Sequence, residues 1–414
     1  MNLYLIVIIA LLLARFAFSS LVDSLNVNNL SHDLPEEMKE YYDAEKYQKS
    51  QSYLVTQTRY ALVEESFTLI TTLAFILLGG FNFIDQFARS FQLSTIYTGT
   101  IFLLTLSLVN LVINLPFSLY HTFVLEQKFG FNQTTIKTYI GDFFKQGLLF
   151  CLLALPIFAS ITYFFDSFGS NAWWQSFLFI VAFQVTLMYL SPTLIMPLFN
   201  KFTPLEDGEL KQAIFDYAEK EDFPLKEIYT MDGSKRSAKS NAFFTGFGKS
   251  KRVVLYDTLI EKHSTEELVA VIAHEMGHYK KRHIPKLMFT SFAQLGFMFF
   301  LLSFFIKNPD LFKAFKMQDT STYASLIFFA FLYSPISFII SIFSNFFLRK
   351  YEFEADAFSF KSYRRPGALI TALKKLSVHN LSNLTPHPLK VFIEYSHPPV
   401  LQRIEALKKL ETAS

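Results

Sequence analysis

Seven long apolar segments dominate this 414-residue chain and limit what it can fold into. A helix needs about 20 apolar residues to cross the hydrocarbon core of a bilayer, and segments near this length recur along the sequence. We predict transmembrane helices at residues 3–20, 67–83, 97–119, 147–166, 172–195, 287–306 and 324–348. The chain is therefore predicted to be a mainly α, polytopic membrane protein, and an ordinary soluble enzyme is excluded.

The distribution of Lys and Arg among the loops predicts the orientation of these helices. The first, third and fifth loops carry most of the basic residues, and basic loops stay in the cytoplasm. We therefore expect the N-terminus outside and the C-terminal tail inside. No Lys or Arg precedes the first apolar segment, so we interpret it as an uncleaved helix and not as a signal peptide. The formal net charge of +3 is small and predicts no nucleic-acid partner.

The membrane segments and the polar segments are interleaved along the chain. Residues 1–200 hold the first five transmembrane helices and a polar loop at 21–61 that contains a charged helical patch. Residues 201–285 form the largest polar insertion, where an amphipathic helix pattern and short β-branched segments predict a small α+β domain. Residues 286–348 hold the last two transmembrane helices, and residues 349–414 form a helical tail that a proline-containing loop interrupts. We expect the insertion and the tail to be cytoplasmic.

A metal-binding motif lies at the end of the insertion. His274, Glu275 and His278 form an HExxH sequence inside an apolar helical stretch, and residues four apart share one face of a helix. Two imidazoles on one face can bind a zinc ion, and the Glu of the motif can act as general base for a zinc-bound water. The alternative is a surface helix with two unrelated histidines, and a third ligand elsewhere in the chain argues against it.

A stripe of polar residues supplies the third ligand. Asn345, Arg349, Glu352 and Asp356 are four, three and four residues apart, which places them on one helical face directly after the last apolar segment. We predict that Glu352 is the third zinc ligand and that Asp356 accepts a hydrogen bond from a ligand histidine. We predict that Arg349, with Asn345 on the same stripe, supports the site by holding Glu352 or a substrate carboxylate. A solvated, charged helix end is the alternative interpretation.

Two further segments are candidates for contact with a peptide substrate. Residues 241–248 have the pattern of an edge strand that ends in a glycine turn, and a peptide can pair with such a strand through its backbone. Asn241, Ala242 and Phe243 at its start are the predicted substrate-binding residues. His397 is followed by two prolines, and this rigid corner can aim the imidazole at the oxyanion of a tetrahedral intermediate. The alternatives are a strand that contacts no ligand and an ordinary surface turn.

Taken together, these motifs resemble the type I CAAX prenyl protease family of integral-membrane zinc metalloproteases. Besides HExxH, the resemblance rests on residues 126–132, 196–201, 231–237, 240–248, 352–356 and 395–399. It implies seven tilted helices around an internal, water-filled chamber. It also implies one zinc ion per chain, bound by His274, His278 and Glu352.

The resemblance also implies roles for the residues around the zinc ion. Glu275 would be the general base, Asn241 and His397 would contact the substrate or its oxyanion, and Asp356 would orient a ligand. We therefore expect a membrane-embedded zinc metalloendopeptidase that acts on a peptide or protein substrate, lipidated or not, in contact with membrane lipid. Eukaryotic members remove the last three residues of prenylated peptides. The chain ends without an endoplasmic-reticulum retrieval signal, so we expect a bacterial inner-membrane member, with the endoplasmic reticulum as the alternative.

Three other functions compete with this interpretation. A membrane-protein quality-control protease of the broader HExxH group would have fewer membrane spans. A catalytically silent chamber or partner protein would have no need of Glu275, which is present. A transporter would show broken helices at matching positions in two halves, and the prolines in the apolar segments form no such pairs.

Overall fold

The computed structural model describes residues 2–245 and 251–412 and shows a mainly helical protein. The helices of the first half are α1 (Leu3–Asn28), α2 (Ala44–Leu77), α3 (Gly80–Arg89), α4 (Thr95–Tyr120), α5 (Ile136–Leu149), α6 (Leu155–Phe168), α7 (Trp173–Leu190) and α8 (Met196–Phe199). Those of the second half are α9 (Glu209–Lys220), α10 (Asp257–Ile260), α11 (Thr265–Lys280), α12 (His283–Ser303), α13 (Pro309–Ala314), α14 (Thr322–Tyr363), α15 (Pro366–His379), α16 (Pro388–Glu394) and α17 (Val400–Thr412).

Six helical segments within the described residues are long and apolar enough to cross a bilayer. They are Leu3–Asn28, Ala44–Leu77, Thr95–Glu126, Ile136–Phe199, His283–Ser303 and Thr322–Tyr363. The fourth segment has 64 residues, far more than one crossing needs, and Gly169 interrupts it with a φ of 61°. Two of the predicted transmembrane helices lie on either side of Gly169, so the six segments overlap all seven apolar stretches. The prediction of a mainly α, multi-pass membrane protein is confirmed.

The prediction of a polar loop at residues 21–61 is wrong for most of its length. Helix α1 continues to Asn28, and α2 begins at Ala44, where the side chain of Asp43 accepts a hydrogen bond from the backbone N–H of Lys46 at 2.6 Å. Hydropathy reports where a helix leaves the apolar layer and not where it ends. The polar residues of α2 therefore belong to a helix that continues beyond the membrane.

The last predicted boundaries also differ from the helices. Helix α14 runs without interruption across residues 348 and 349, where we placed the end of the membrane region, and α12 begins at His283 inside the predicted insertion. The stripe that starts at Asn345 is thus a direct continuation of a membrane helix. A continuous helix fixes the height and rotation of this stripe relative to the membrane part.

The connections between the membrane helices gather on two opposite faces of the molecule. Met38, from the connection between α1 and α2, belongs to a hydrophobic cluster that also contains Leu373 of α15 and Leu407 of α17. The connection between α4 and α5 lies on the same face, because its Phe131 shares a second cluster with Leu381, which follows α15. At the other ends of the helices, α3, α13 and the start of α14 share a separate aromatic cluster. The first and third loops therefore lie beside the insertion and the tail.

A small sheet forms the base of the insertion. Its strands are β1 (Phe202–Pro204), β2 (Leu225–Met231), β3 (Ala242–Thr245) and β4 (Lys251–Tyr256), in the spatial order β1-β2-β4-β3. Strand β4 is parallel to β2 and antiparallel to β3, and α11 packs its apolar face on the sheet. Among the described strands, β3 therefore lies at an edge beside the HExxH helix. Residues 246–248 of the predicted edge strand lie outside the described part of the chain.

Candidate active site

The HExxH helix, α11, has a well-defined start. Ser264 and Glu267 form a capping box in which each side chain accepts a hydrogen bond from the backbone N–H of the other. The helix ends before Arg282, which has a φ of 55°, and α12 begins at the next residue. Because both ends are fixed, the motif in the last two turns of α11 keeps one orientation relative to the sheet.

Gly277 allows α11 and α14 to approach each other closely. A Cβ atom at this position would lie 2.9 Å from the Cα atom of Ala355, a distance that real Cβ atoms almost never show. The glycine is one of the two variable positions of HExxH, and Ala355 lies between Glu352 and Asp356. The small residue at 277 therefore brings the motif against the polar stripe of α14.

Three potential metal ligands meet where the two helices touch. Atoms of His274, His278 and Glu352 lie within 4.8 Å of one another. The Nε2 atoms of the two histidines are 3.2 Å apart. Oε2 of Glu352 is 3.5 Å from Nε2 of His274, and Oε1 is 3.3 Å from Nε2 of His278. A tetrahedral zinc ion with bonds of about 2.0–2.1 Å places its ligand atoms about 3.3–3.4 Å apart. The three residues that the sequence indicates thus have the spacing of one zinc site.

The hydrogen bonds around the ligands also fit a cation. Nδ1 of His274 lies 2.7 Å from the carboxylate of Asp356, so this nitrogen carries the proton and the Nε2 lone pair faces inward. Oε2 of Glu352 is buried and makes no hydrogen bond within the described residues, and its cationic neighbour there, Nη1 of Arg403, lies 3.4 Å away. A buried carboxylate oxygen that faces imidazole lone pairs is unfavourable unless a positive charge lies between them. The donor set therefore matches a bound zinc ion.

Glu275 lies beside the ligands and lines a cavity of about 180 Å³ that opens next to them. Burial raises the pKa of the Glu275 carboxyl above its ordinary value, although the neighbouring imidazoles of His274 and His278 act in the opposite direction. A carboxylate with a raised pKa is a stronger proton acceptor, which suits a general base.

Arg403 is a site residue that the sequence analysis missed. It lies on α17, and its Nε and Nη2 atoms donate to the carboxylate of Asp356 at 2.8 and 2.6 Å. Its Nη1 atom is 3.4 Å from Glu352. The guanidinium thus neutralises two buried carboxylates at once and attaches the C-terminal helix to the site. The only signal in the sequence is a basic residue in the first turn of the helix after the His-Pro-Pro corner.

The predicted roles of Arg349 and Asn345 need correction. Arg349 donates hydrogen bonds to the backbone carbonyls of Val391 and Tyr395, at the end of α16, and Asn345 donates to that of Ile393. Helix C-termini carry free carbonyl groups that attract cations, so α16 competes successfully for the guanidinium. Both side chains therefore position α16 and its following loop, and Arg403 takes the place next to Glu352.

The predicted substrate-contacting residues are divided between two environments. Asn241 and Ala242 line the 180 Å³ cavity together with Glu275 and His397. The His397 side chain is 65% exposed, and its Nε2 atom lies 3.4 Å from Glu352. Phe243 points the other way along the strand, and its ring packs edge-on against Tyr256. The corner that holds His397 thus faces the metal ligands across the cavity from the start of β3.

Membrane helices, an HExxH helix and a third carboxylate ligand on a neighbouring helix together define an integral-membrane metalloprotease. Residues 24–201 match the family model described as the CAAX prenyl protease N-terminal part with five membrane helices, and residues 204–411 match peptidase family M48. The chain belongs to the CAAX prenyl proteases of the M48 family. The resemblance that the motifs indicated is therefore confirmed.

Named relatives and a solved structure agree with the family assignment. The chain is 34% identical to CAAX prenyl protease 1 of Saccharomyces cerevisiae, over 95% of this chain and 93% of that protein. It is 36% identical to a homologue from Oryza sativa, over 92% of this chain and 91% of that protein. The crystal structure of Ste24p from S. mikatae matches with a TM-score of 0.93 at 33% identity and covers 98% of this chain and 99% of that one. The chain is thus a member of a membrane zinc metalloprotease family, and the match covers nearly all of it.

Proposed function

We propose that the protein removes the last three residues from prenylated, membrane-associated proteins or peptides by hydrolysing one peptide bond. The observation that carries this proposal is that one cavity is lined by two imidazoles, two carboxylates and the start of an edge strand. The imidazoles are those of His274 and His397, and the carboxylates are those of Glu275 and Glu352. The relatives are CAAX prenyl proteases by name, which supports the substrate class.

The residues present fit one zinc ion per chain, bound by His274, His278 and Glu352. When bound, zinc supplies a Lewis acid that polarises the scissile carbonyl and lowers the pKa of a water molecule to about 7. Glu275 accepts a proton from the attacking water and passes it to the leaving amine. Asp356 holds the tautomer of His274, and Arg403 fixes Asp356 in turn.

Asn241 and His397 are the proposed oxyanion and substrate contacts. They approach the same cavity from two sides, one from the start of β3 and one from the corner before α17. An imidazole N–H can stabilise the negative charge that develops on the carbonyl oxygen, and an amide side chain can hold the peptide backbone. The exposed edge of β3 is the proposed binding strand for the residues that precede the scissile bond.

The membrane part is proposed to form seven spans around a chamber. Counting Ile136–Phe199 as two spans joined at Gly169 gives this number. Cavities of about 910 and 890 Å³ lie between the helices, and polar side chains line them, including Asn114 in the first and Arg15 in the second. Polar groups at membrane depth face protein or water and not lipid, which supports a water-filled interior.

The insertion at residues 201–285, named the zinc domain from here on, and the C-terminal tail are proposed to face the cytoplasm. The loop charges support this orientation, because the basic first and third loops gather on the face of the zinc domain. The sequence analysis favours a bacterial inner membrane over the endoplasmic reticulum. The relatives reported above come from yeast and rice, and they support the endoplasmic reticulum.

The proposed reaction can be tested on the full chain purified in detergent. A farnesylated CAAX peptide and its unprenylated counterpart are incubated with the protein, and the cut sites are read by mass spectrometry. We expect release of the terminal tripeptide from the prenylated peptide, loss of cleavage with phenanthroline and recovery with added zinc. The Glu275→Gln variant, prepared in parallel, reports any contaminating protease. Undiminished cleavage by metal-free protein would exclude the mechanism, and preference for the unprenylated peptide would exclude the substrate class.

A further inference from the structure

A third histidine lies directly behind the metal ligands. His283 is the first residue of α12, and its side chain is 1% exposed. Its Nδ1 atom is 3.0 Å from Nδ1 of His278, and its Nε2 atom is 3.1 Å from a carboxylate oxygen of Glu354. His283 therefore connects His278, on α11, to a carboxylate on α14.

The protons in this chain of contacts can be assigned from hydrogen-bond chemistry. Nε2 of His278 faces Nε2 of His274 and the carboxylate of Glu352, so it must keep its lone pair free to bind a cation. A neutral imidazole has one N–H, and the proton of His278 therefore lies on Nδ1. Nδ1 of His283 then accepts this proton's hydrogen bond, and Nε2 of His283 donates to Glu354. Every donor meets an acceptor in this one arrangement.

We propose that His283 and Glu354 are positioning residues that hold His278 in the tautomer and orientation required for zinc binding. The proposal rests on the proposed function, because it takes zinc as the bound metal. His274 is held by a carboxylate directly, whereas His278 is held by a carboxylate that acts through a second imidazole. A donor–acceptor chain of this kind raises the basicity of the ligand, and loss of such partners costs about 10–100-fold in metal affinity.

The surroundings of His283 keep its ring in place. Tyr351 stacks on it with ring centroids 4.2 Å apart and planes 13° apart. Tyr351, the ligand Glu352 and Glu354 lie within four residues of α14, so one turn of this helix supplies a zinc ligand and both supports of His283. A shift of α12 relative to α14 would therefore move a zinc ligand.

The test is a zinc dissociation constant, measured by chelator competition on the full-length protein in detergent. His283→Phe keeps the size of the ring and its stacking but removes the acceptor, so we expect Kd to rise about 10–100-fold. His283→Asn places an oxygen near the position of Nδ1 and should stay within a few-fold of wild type. Glu354→Ala should raise Kd as well, by a smaller factor than His283→Phe.

Two controls separate positioning from general destabilisation. Tyr351→Phe keeps the stacked ring and should leave Kd unchanged. His263→Phe removes another buried histidine, on the same face of the molecule but outside the zinc ligands, and should also leave Kd unchanged. In the zinc-saturated His283→Phe enzyme, kcat should fall while KM stays the same, and the visible spectrum of the cobalt-substituted protein should change.

The outcomes distinguish this proposal from the proposed function. A wild-type Kd in folded His283→Phe, or an equal loss of affinity in His263→Phe, overturns the positioning role and leaves the protease assignment intact. If His283→Phe does not fold, the zinc Kd of Glu354→Ala is compared with that of Tyr351→Phe. Equal Kd values for these two variants overturn the positioning role. If the His274→Ala variant binds zinc with the same Kd as the wild-type protein, both proposals are overturned.

Discussion

At the scale of single residues, the proposed site separates metal binding from proton transfer. The proposed ligands His274 and Glu352 are buried between two helices, whereas Glu275, the proposed base, lines the adjoining cavity. Removing a ligand and removing the base should therefore have different effects on the same protein.

We expect Glu275→Gln to keep about one zinc ion per chain and to lose about 10²–10⁴-fold in turnover, because the ligands stay intact and the general base is gone. His274→Ala and Glu352→Ala should lose the zinc ion as well as the activity. Metal analysis and peptide cleavage on the same preparations measure both properties. Glu266→Gln is a matched control, since this exposed carboxylate lies on the same helix and away from the cavity. A Glu275→Gln enzyme with near-wild-type turnover would refute the role of the base.

Arg403 allows a prediction about stability. Its side chain is 11% exposed and pairs with Asp356, which is 2% exposed. We expect Arg403→Met to lower the free energy of unfolding by about 3 kcal/mol, because it leaves a buried carboxylate without its cation. Lys408→Met on the same helix should change little, since Lys408 forms a surface ion pair with Glu37. Thermal unfolding of the zinc-free proteins in detergent compares the two, and equal melting temperatures would contradict the prediction.

The residues that sequence reasoning found and those that it missed differ in how their position is determined. His278 and Glu352 could be predicted because helical spacing places each of them on a definite face, whatever the rest of the fold does. Arg403 could not, since it is 47 residues from its partner and meets it only when α17 packs against α14. Arg349 lies on the predicted face, but the carbonyl groups of α16 bind it. Its partner depended on the packing of an element whose position the sequence does not show.

At the scale of secondary structure elements, strand β3 carries the most specific expectation. The N–H of Tyr256 donates to the carbonyl of Asn241 at 3.1 Å, and Phe243 is paired with Val254. In an antiparallel ladder, hydrogen-bonded pairs alternate, so the backbone of Phe243 faces β4. The backbone groups of Ala242 therefore point to the open edge, where its N–H donates to Oδ1 of Asn241 at 2.9 Å. The sequence alone predicts an edge strand, but the register that decides which groups point outward comes from pairing with β4.

This alternation predicts which backbone groups of a substrate matter. A peptide that adds to β3 should use every second N–H for pairing, so N-methylation at alternate residues should reduce kcat/KM and methylation between them should not. A set of singly N-methylated prenylated peptides, each assayed for cleavage, measures this pattern. Phe243→Pro is a less selective probe, because proline there also removes the hydrogen bond to β4. A uniform response to methylation at every position would exclude strand addition.

At the scale of the whole molecule, the fold couples a membrane helix directly to the zinc site. Helix α14 has 42 residues, begins at the face opposite the zinc domain and carries Glu352 and Asp356 near its other end. The presence of long membrane helices and their places along the chain could be predicted, because their length is set by the bilayer. The extension of α2 and α14 beyond the membrane could not, since polar helices and polar loops look alike in hydropathy. The loops of one face nevertheless come together as the charge pattern requires.

The grouping of the connections on two opposite faces predicts the topology of the protein in its native membrane. We expect single cysteines at Lys39 and Lys128, both exposed on the face of the zinc domain, to react with a membrane-impermeant maleimide only after the cytoplasmic side is opened. A cysteine at Gln318, exposed at the opposite face, should react when the reagent is on the non-cytoplasmic side of a sealed membrane. Each variant carries Cys151→Ser, so that it has one thiol. Because the connections that carry Lys39 and Lys128 share buried clusters with the residues around α15 and α17, these two positions must be labelled from the same side. Labelling of Lys39→Cys and Gln318→Cys from the same side would rule out an odd number of spans between them and with it the seven-helix arrangement.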